Sequence, residues 1–289
     1  MLPKLQENAS PTHAVELLRD AARRAGNVIG AGYKAGDLLV MYQEWAAEGE
    51  RTLSSVLTPS ELSRLLLTQR YWAAKGALAF SGLTTELQTE LRARQDALEA
   101  AATEIHAEVE QWAYEYSSQA FSAKRRHALV LDTNVLEFHS AELATYPWSE
   151  RAELSEGAIT LVIPSVVRDE LDGHKLSNNT FKVNGVKVEL RKQARDALRV
   201  IANLFPDSGD RAELETDLRH DVNVYLPVDE LTRSRLPIAD NEIVSDALEL
   251  KPYAESVTLV SYDVNIGLTA ARFGLRSLLL RYEDLGDVE

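Results

Sequence analysis

Cysteine does not occur in the 289-residue chain. That absence excludes disulfides, thiolate metal centres and cysteine nucleophiles, and it fits a reducing compartment. Long apolar runs are missing too: no stretch approaches the roughly 18 uninterrupted apolar residues of a membrane span. The opening segment, MLPKLQENASPTHAVELL, carries no apolar core of the kind a secretory leader needs, so a cytoplasmic protein is the expectation. Several catalytic signatures are absent. Without a GxSxG elbow a Ser-His-Asp hydrolase is disfavoured, and without GxxxxGK[ST] so is a P-loop nucleotidase. The six histidines form no HxH or HExxH spacing.

Charge is plentiful but one-sided. The net formal charge is −14, of which residues 1–126 contribute −2 and residues 127–289 contribute −12. Such an excess serves solubility, and it is also what a site that concentrates carboxylates around cations would leave in the total.

The first part reads as helix throughout. Ser10 followed by Pro11 opens one helix as N-cap and first-turn proline. Thr58, Pro59 and Glu61 read as a capping box. Thr85 with Gln88 opens a helix over about 86–118, in which Leu91, Leu98, Ile105 and Trp112 recur every seven residues, with Ala102, Val109 and Tyr116 between them. That stripe suits packing on the other N-terminal helices, or pairing of two copies. No strand pattern precedes residue 127.

The basic segment SAKRRHA (122–128) marks the joint, and we place the division between an all-helical region 1–125 and a second domain, 126–289. After it, short apolar runs (ALVLD, AITLVIP, VNVYLP, SVTLVSYD, LRSLLLRY) alternate with helical segments. This alternation predicts an α/β fold, a mostly parallel sheet covered by helices on both faces. FKVNGVKV (181–188), with Asn184-Gly185 at its centre, reads as a β-hairpin between two helices. Residues 205–221 read as an exposed acidic loop.

The second region also carries a chemical pattern. Asp132 ends the run ALVLD, and in an open parallel sheet ligands sit outside the carboxyl ends of the strands. Alone, an acid there reads as a helix cap. The arrangement repeats, however: Asp263 ends SVTLVSYD, Glu170 lies one to two turns into the helix after a third strand, and Asp240 opens another helix. Four acids from four successive β/α units converge on one sheet edge, where they would repel one another unless a divalent cation compensated them. Oxygen-only ligation favours Mg²⁺ or Mn²⁺. An aspartyl phosphatase of the DxD type would need an acid at position 134, where Asn134 stands.

LDTNVL, IPSVVRDELDGHK, ADNEIVSDALEL and LVSYDVNIGLTA, taken as an ordered set, resemble the PIN-domain nucleases over about residues 127–285. The resemblance implies a PIN-like sheet flanked by helices and a metal-dependent ribonuclease site built from Asp132, Glu170, Asp240 and Asp263. It implies hydrolysis leaving a 5′-phosphate and a 3′-hydroxyl. Thr133 and Asn134 match the polar pair after the first acid, and Asn241 and Asn265 match accessory polar positions. Tyr262 stands where a small polar residue is more usual, and the hairpin is outside the common pattern. Two metal ions would activate water and relieve phosphate charge.

A polyanion also needs a basic track. Residues 168–199 hold eight basic residues against five acids, and Arg191, Arg195 and Arg199 fall on one helix face. With Lys175 and the hairpin residues Lys182 and Lys187 they are candidates for the backbone of single-stranded RNA; a solvated helix paired with Glu189 and Asp196 is the plainer reading. Glu137, His174 and Asp246 are expected outside the site, Glu137 at the surface and Asp246 as a surface or cap acid. The helical region is open to self-association or to an inhibitory protein partner. Rival functions are a catalytically silent binding module and a structure-specific DNA nuclease.

Overall fold

The computed structural model describes residues 2–76, 84–114, 124–154, 157–183, 186–207, 209–216, 221–228 and 235–282. The chain divides into two compact units, Met1–Trp112 and Ala113–Glu289. The division falls earlier than the basic joint suggests. The reason is a two-stranded ribbon, β1 (Ala113–Tyr114) against β2 (Lys124–Arg125), that leads directly into the second unit. Ribbon strands this short carry no alternation for sequence to show.

The first unit contains α1 (Pro11–Gly30), α2 (Ala35–Leu53), α3 (Pro59–Leu65), α4 (Gln69–Gly76) and α5 (Thr84–Trp112). Ser10 caps α1, its hydroxyl accepting the His13 N–H at 3.4 Å, with Pro11 in the first turn. The capping box expected at α3 does not form. Thr58 holds the cap position without a side-chain cap bond, and Glu61 turns inward to Arg64 at 2.7 Å, where the charged pair outcompetes a neutral backbone cap. α5 begins at Thr84, so Thr85 lies inside its first turn rather than capping it. Leu91, Leu98, Ile105 and Trp112 are all fully buried, and α5 packs along α1, whose buried face includes Ala14, Leu18, Ala21 and Ala25. Alanines let the two backbones approach closely. The seven-residue stripe is therefore buried within one chain and needs no second copy to cover it. Val109 is only half-buried, α5 ends at Trp112, and Tyr116 lies outside the described residues.

The second unit runs β3 (His127–Leu131), α6 (Thr133–His139), a 3₁₀ turn, α7 (Trp148–Arg151), β4 (Ile159–Val162), α8 (Ser165–His174), β5 (Thr180–Val183), β6 (Val186–Glu189) and α9 (Leu190–Leu204). It continues with β7 (Arg211–Leu214), β8 (Val222–Tyr225), α10 (Ala239–Glu249), β9 (Val257–Ser261), α11 (Val264–Arg272) and β10 (Arg276–Leu279). The main sheet has the order β10-β9-β3-β4-β8-β7, parallel except for β7. Every residue of β4, β8 and β9 is buried, as are Ala128–Leu131 of β3, which is why these strands read as continuous apolar runs. Gly274, at φ +70°, ends α11 in a left-handed turn that feeds β10.

The acidic loop expected at 205–221 contains β7, an edge strand antiparallel to β8, with the Arg211 guanidinium 4.0 Å from the Tyr225 ring centre. A half-buried edge strand of four residues in which Ala212 and Leu214 alternate with charged ones has no apolar run to announce it. β5 and β6 pair antiparallel, while the turn residues Asn184 and Gly185 lie outside the described residues. From β3 the chain moves outward through β4 to β8, then returns across the sheet to β9. β3 and β9 are therefore neighbours whose connections leave in opposite directions, and a ligand crevice opens at such a point beyond the strand ends.

Leu98 is fully buried on the α1-facing stripe. Leu98→Ala is expected to destabilise the helical unit by about 2–5 kcal/mol, read as a lowered urea midpoint of its unfolding transition.

Candidate metal centre

The site begins with register. Leu131 of β3 lies beside Val260 of β9, so the next residue of each strand, Asp132 and Ser261, also stand side by side at the carboxyl edge. The Ser261 hydroxyl donates to Asp132 Oδ2 at 2.6 Å, and the Thr133 N–H donates to Oδ1 at 2.7 Å. Asp132 is thus the N-cap of α6 as well as the last residue out of the sheet. It is 6 % exposed, and burial pushes its pKa up, opposed by those two hydrogen bonds and reinforced by the charges of Glu170 and Asp240.

The neighbouring acids arrive on separate elements. Glu170 projects from α8, the helix after β4, and its Oε2 accepts the Thr133 hydroxyl at 2.5 Å. Asp240 lies in the first turn of α10, after β8; burial raises its pKa, and the charge of Asp263 raises it further. Asp263 is the N-cap of α11, after β9, with its Oδ1 accepting the Asn265 N–H at 2.7 Å. Its own N–H donates to Ser261 Oγ at 2.8 Å, so one serine hydroxyl bridges the Asp132 carboxylate and the Asp263 backbone. Repulsion runs from Glu170 to Asp132, from Asp132 to Asp240 and from Asp240 to Asp263.

Two residues that the sequence reading leaves out belong here. Ser261 gave one signal, a small hydroxyl at the exit of a buried strand. Glu137, expected to be exposed, is 4 % exposed. It follows Thr133 by one helical turn and so shares the face of α6 turned toward α8. Burial raises its pKa, as do Asp132 and Glu170, against the His174 Nδ1 donor 2.7 Å away. His174 in turn lies one turn beyond Glu170 on α8. Asp246, expected as a surface or cap acid, is buried.

Four β/α exits that deliver mutually repelling acids to one sheet edge are the arrangement the motifs imply, and the PIN-domain family model matches residues 129–281, just over half of the chain. The chain belongs to the PIN-domain family. PIN domains have a nuclease fold and typically use divalent metal ions. No curated protein matches the sequence.

Within this PIN domain the accessory positions separate. Asn134 Oδ1 accepts the Tyr262 N–H at 3.4 Å, a tie between α6 and the β9 exit. Asn241 and Asn265 are exposed. Tyr262 is buried, its hydroxyl 2.7 Å from His139 Nε2 and its ring stacked on Tyr282, so an aromatic wall stands where a small polar residue is more usual. Among the basic candidates, Arg195 is exposed, and Arg199, also exposed, pairs with Asp196 at 3.0 Å. Arg191 is half-buried and donates to the Ser177 carbonyl and to Asn178, while Lys175 pairs with Asp172. Lys187 is exposed, and the Lys182 side chain lies outside the described set.

Among the described residues, no three His, Asp or Glu side chains already close around one point where an ion could sit. The donor chemistry of this PIN domain nevertheless fits a hard cation. The ligand oxygens are all carboxylate, charges of the set repel Asp132 and Asp240, and burial disfavours the ionised forms of those two, a combination that a divalent ion relieves. Among the described residues no helix is long and apolar enough to cross a bilayer.

Because burial holds the folded-state pKa of Asp132 above its unfolded value, the ionised carboxylate opposes folding. That cost is absent below the ordinary carboxylate range and grows as pH rises through the raised pKa. In metal-free protein, Asp132→Asn is therefore expected to raise Tm near neutral pH by about 2–4 °C, the gain shrinking toward zero in acid. Calorimetry of both forms in EDTA from about pH 4 to about pH 8 checks this, and a lower neutral-pH Tm for the variant would contradict it.

Proposed function

We propose that this PIN domain is a metal-dependent ribonuclease acting on single-stranded RNA in the cytoplasm, with Asp132, Glu170, Asp240 and Asp263 holding Mg²⁺ or Mn²⁺. The observation that carries this reading is the chain of repulsion linking carboxylates from four successive β/α exits beside the β3/β9 switch point. A pair of divalent ions bound there supplies an activated water, charge relief at the phosphate and a stabilised leaving oxygen.

The chain's own residues prepare that site. Asp132 is gripped by Ser261 and by the Thr133 N–H, the Thr133 hydroxyl sets the orientation of Glu170, and the Asn265 N–H holds Asp263, so three of the four carboxylates are held before anything binds. Carboxylate oxygens that already accept one hydrogen bond keep a second lone pair for an ion. Asn134 fixes the chain just before Asp263. Asn241 and Asn265, both exposed beside an acid, would contact the substrate. Arg195 and Arg199, with Arg191 and Lys175 nearer the body, form the track for the RNA backbone, offsetting an otherwise acidic domain. The helical unit, with its α5 stripe already buried, would use outer faces for a restraining protein partner or a second copy.

With Mn²⁺, the full chain is expected to cleave single-stranded RNA, and Asp132→Asn to fall to background while still binding it. Cleavage of DNA but not RNA would shift the reading to a DNA nuclease; equal RNA binding by both forms with no cleavage by either would make it a binding module. Arg195→Ala with Arg199→Ala is expected to weaken RNA binding and to flatten the dependence of log K on log salt by roughly 0.7 for each phosphate no longer neutralised, measured by fluorescence anisotropy. An unchanged slope would remove α9 from the track.

A further inference from the structure

Arg235 sits just ahead of α10, outside every motif that points to the acids. Its Nη1 donates to Ser165 Oγ at 2.7 Å and to Glu242 Oε1 at 2.8 Å, and its Nη2 donates to Asp169 Oδ2 at 2.8 Å. Ser165 and Asp169 lie one turn apart on α8, and Asp169 immediately precedes Glu170. Glu242 lies two residues after Asp240 in the first turn of α10. It is 1 % exposed, and its second oxygen accepts the Leu236 N–H at 2.9 Å. One guanidinium therefore joins the helix that carries Glu170 to the helix turn that carries Asp240, and Glu242 closes the segment between Arg235 and α10 into a compact loop.

We propose that Arg235, acting through Glu242, is a positioning residue that holds Asp240 against the repulsion of the neighbouring carboxylates. The inference rests on the metal-dependent reading above. Asp240 feels the charge of Asp263 and Asp132 that of Asp240, so the first turn of α10 carries a carboxylate that its neighbours repel. Glu242 is buried while the Arg235 side chain stays partly exposed, so the pair adds little net stability, solvent screening one end and desolvation opposing the other; what it supplies is a defined geometry. Arginine suits the task because its planar fork reaches three acceptors at once, which the point charge of lysine does not reproduce. Two carboxylates and a hydroxyl already engage the guanidinium, so it serves as a strap between helices rather than as the counter-charge of the site.

Removing Arg235 alone would leave Glu242 buried and unpaired, and such a variant can fail to fold for that reason. The informative variant replaces both, Arg235→Met with Glu242→Met, which leaves no buried charge uncompensated, since the remaining partner, Asp169, is solvent-exposed; Arg235→Lys, which keeps the charge and loses the fork, is the second. In the full chain, Mn²⁺ affinity is measured from the EPR signal of free Mn²⁺, with circular dichroism and Tm confirming the fold. The double variant is expected to stay folded and to bind Mn²⁺ roughly 10–100-fold more weakly, with Arg235→Lys between it and wild type. In RNA cleavage, kcat should fall while KM holds. Wild-type Mn²⁺ affinity in either folded variant would overturn the positioning role and leave the nuclease reading standing. A wild-type chain that binds no Mn²⁺ would overturn the metal reading, and the strap's purpose with it.

Discussion

Carboxylates gathered at the end of a buried sheet repel one another, and the parallel pairing of β3 with β9 is what keeps them gathered. That register sets Asp132 beside Ser261. The serine hydroxyl then does two things: it donates to Asp132 and it accepts the backbone N–H of Asp263. A shift of one residue would turn every side chain of a strand to the opposite face and separate these groups. Because β3 and β9 are buried almost throughout, hydrophobic burial holds the register, and the register holds the acids.

The helices extend the same logic. Each acid leaves a different strand and enters a different helix, so its position depends on how that helix packs. Thr133 ties α6 to α8 through Glu170, and the Glu137–His174 pair ties the same two helices one turn further on. Arg235 and Glu242 tie α8 to α10. These cross-links use polar groups in half-buried places, where an unmade hydrogen bond is costly and each partner is therefore constrained. The result is a strongly acidic crevice kept in shape by donors that do not cancel its charge, a suitable environment for a hard cation.

Five strands of the main sheet were visible as apolar runs, and the alternation with helices specified a parallel sheet; in β3, β4, β8 and β9 burial on both faces removes most polar residues from the strand interior, whereas the edge strand β10 is mostly exposed. What went unread was the polar part of the architecture. β7 has no apolar run, the ribbon strands β1 and β2 are two residues each, and Glu61 chose Arg64 over a cap. In each case a partner distant in sequence, or a charged neighbour, decided the outcome over local preference. The heptad-like stripe of α5 was legible as a buried face, but only packing could say that α1 covers it.

By itself the sequence determined the strand and helix alternation, the PIN-domain motifs and the four acids at the β/α exits, since these follow from the periodicity and type of adjacent residues. The tertiary structure alone decided which of those carboxylates press on one another, that Glu137 and Asp246 are buried, and that Ser261 and Arg235 brace the site. The physical reason is range. Burial patterns are written in local periodicity, whereas repulsion, desolvation and hydrogen bonding act between groups that meet only after the chain has folded.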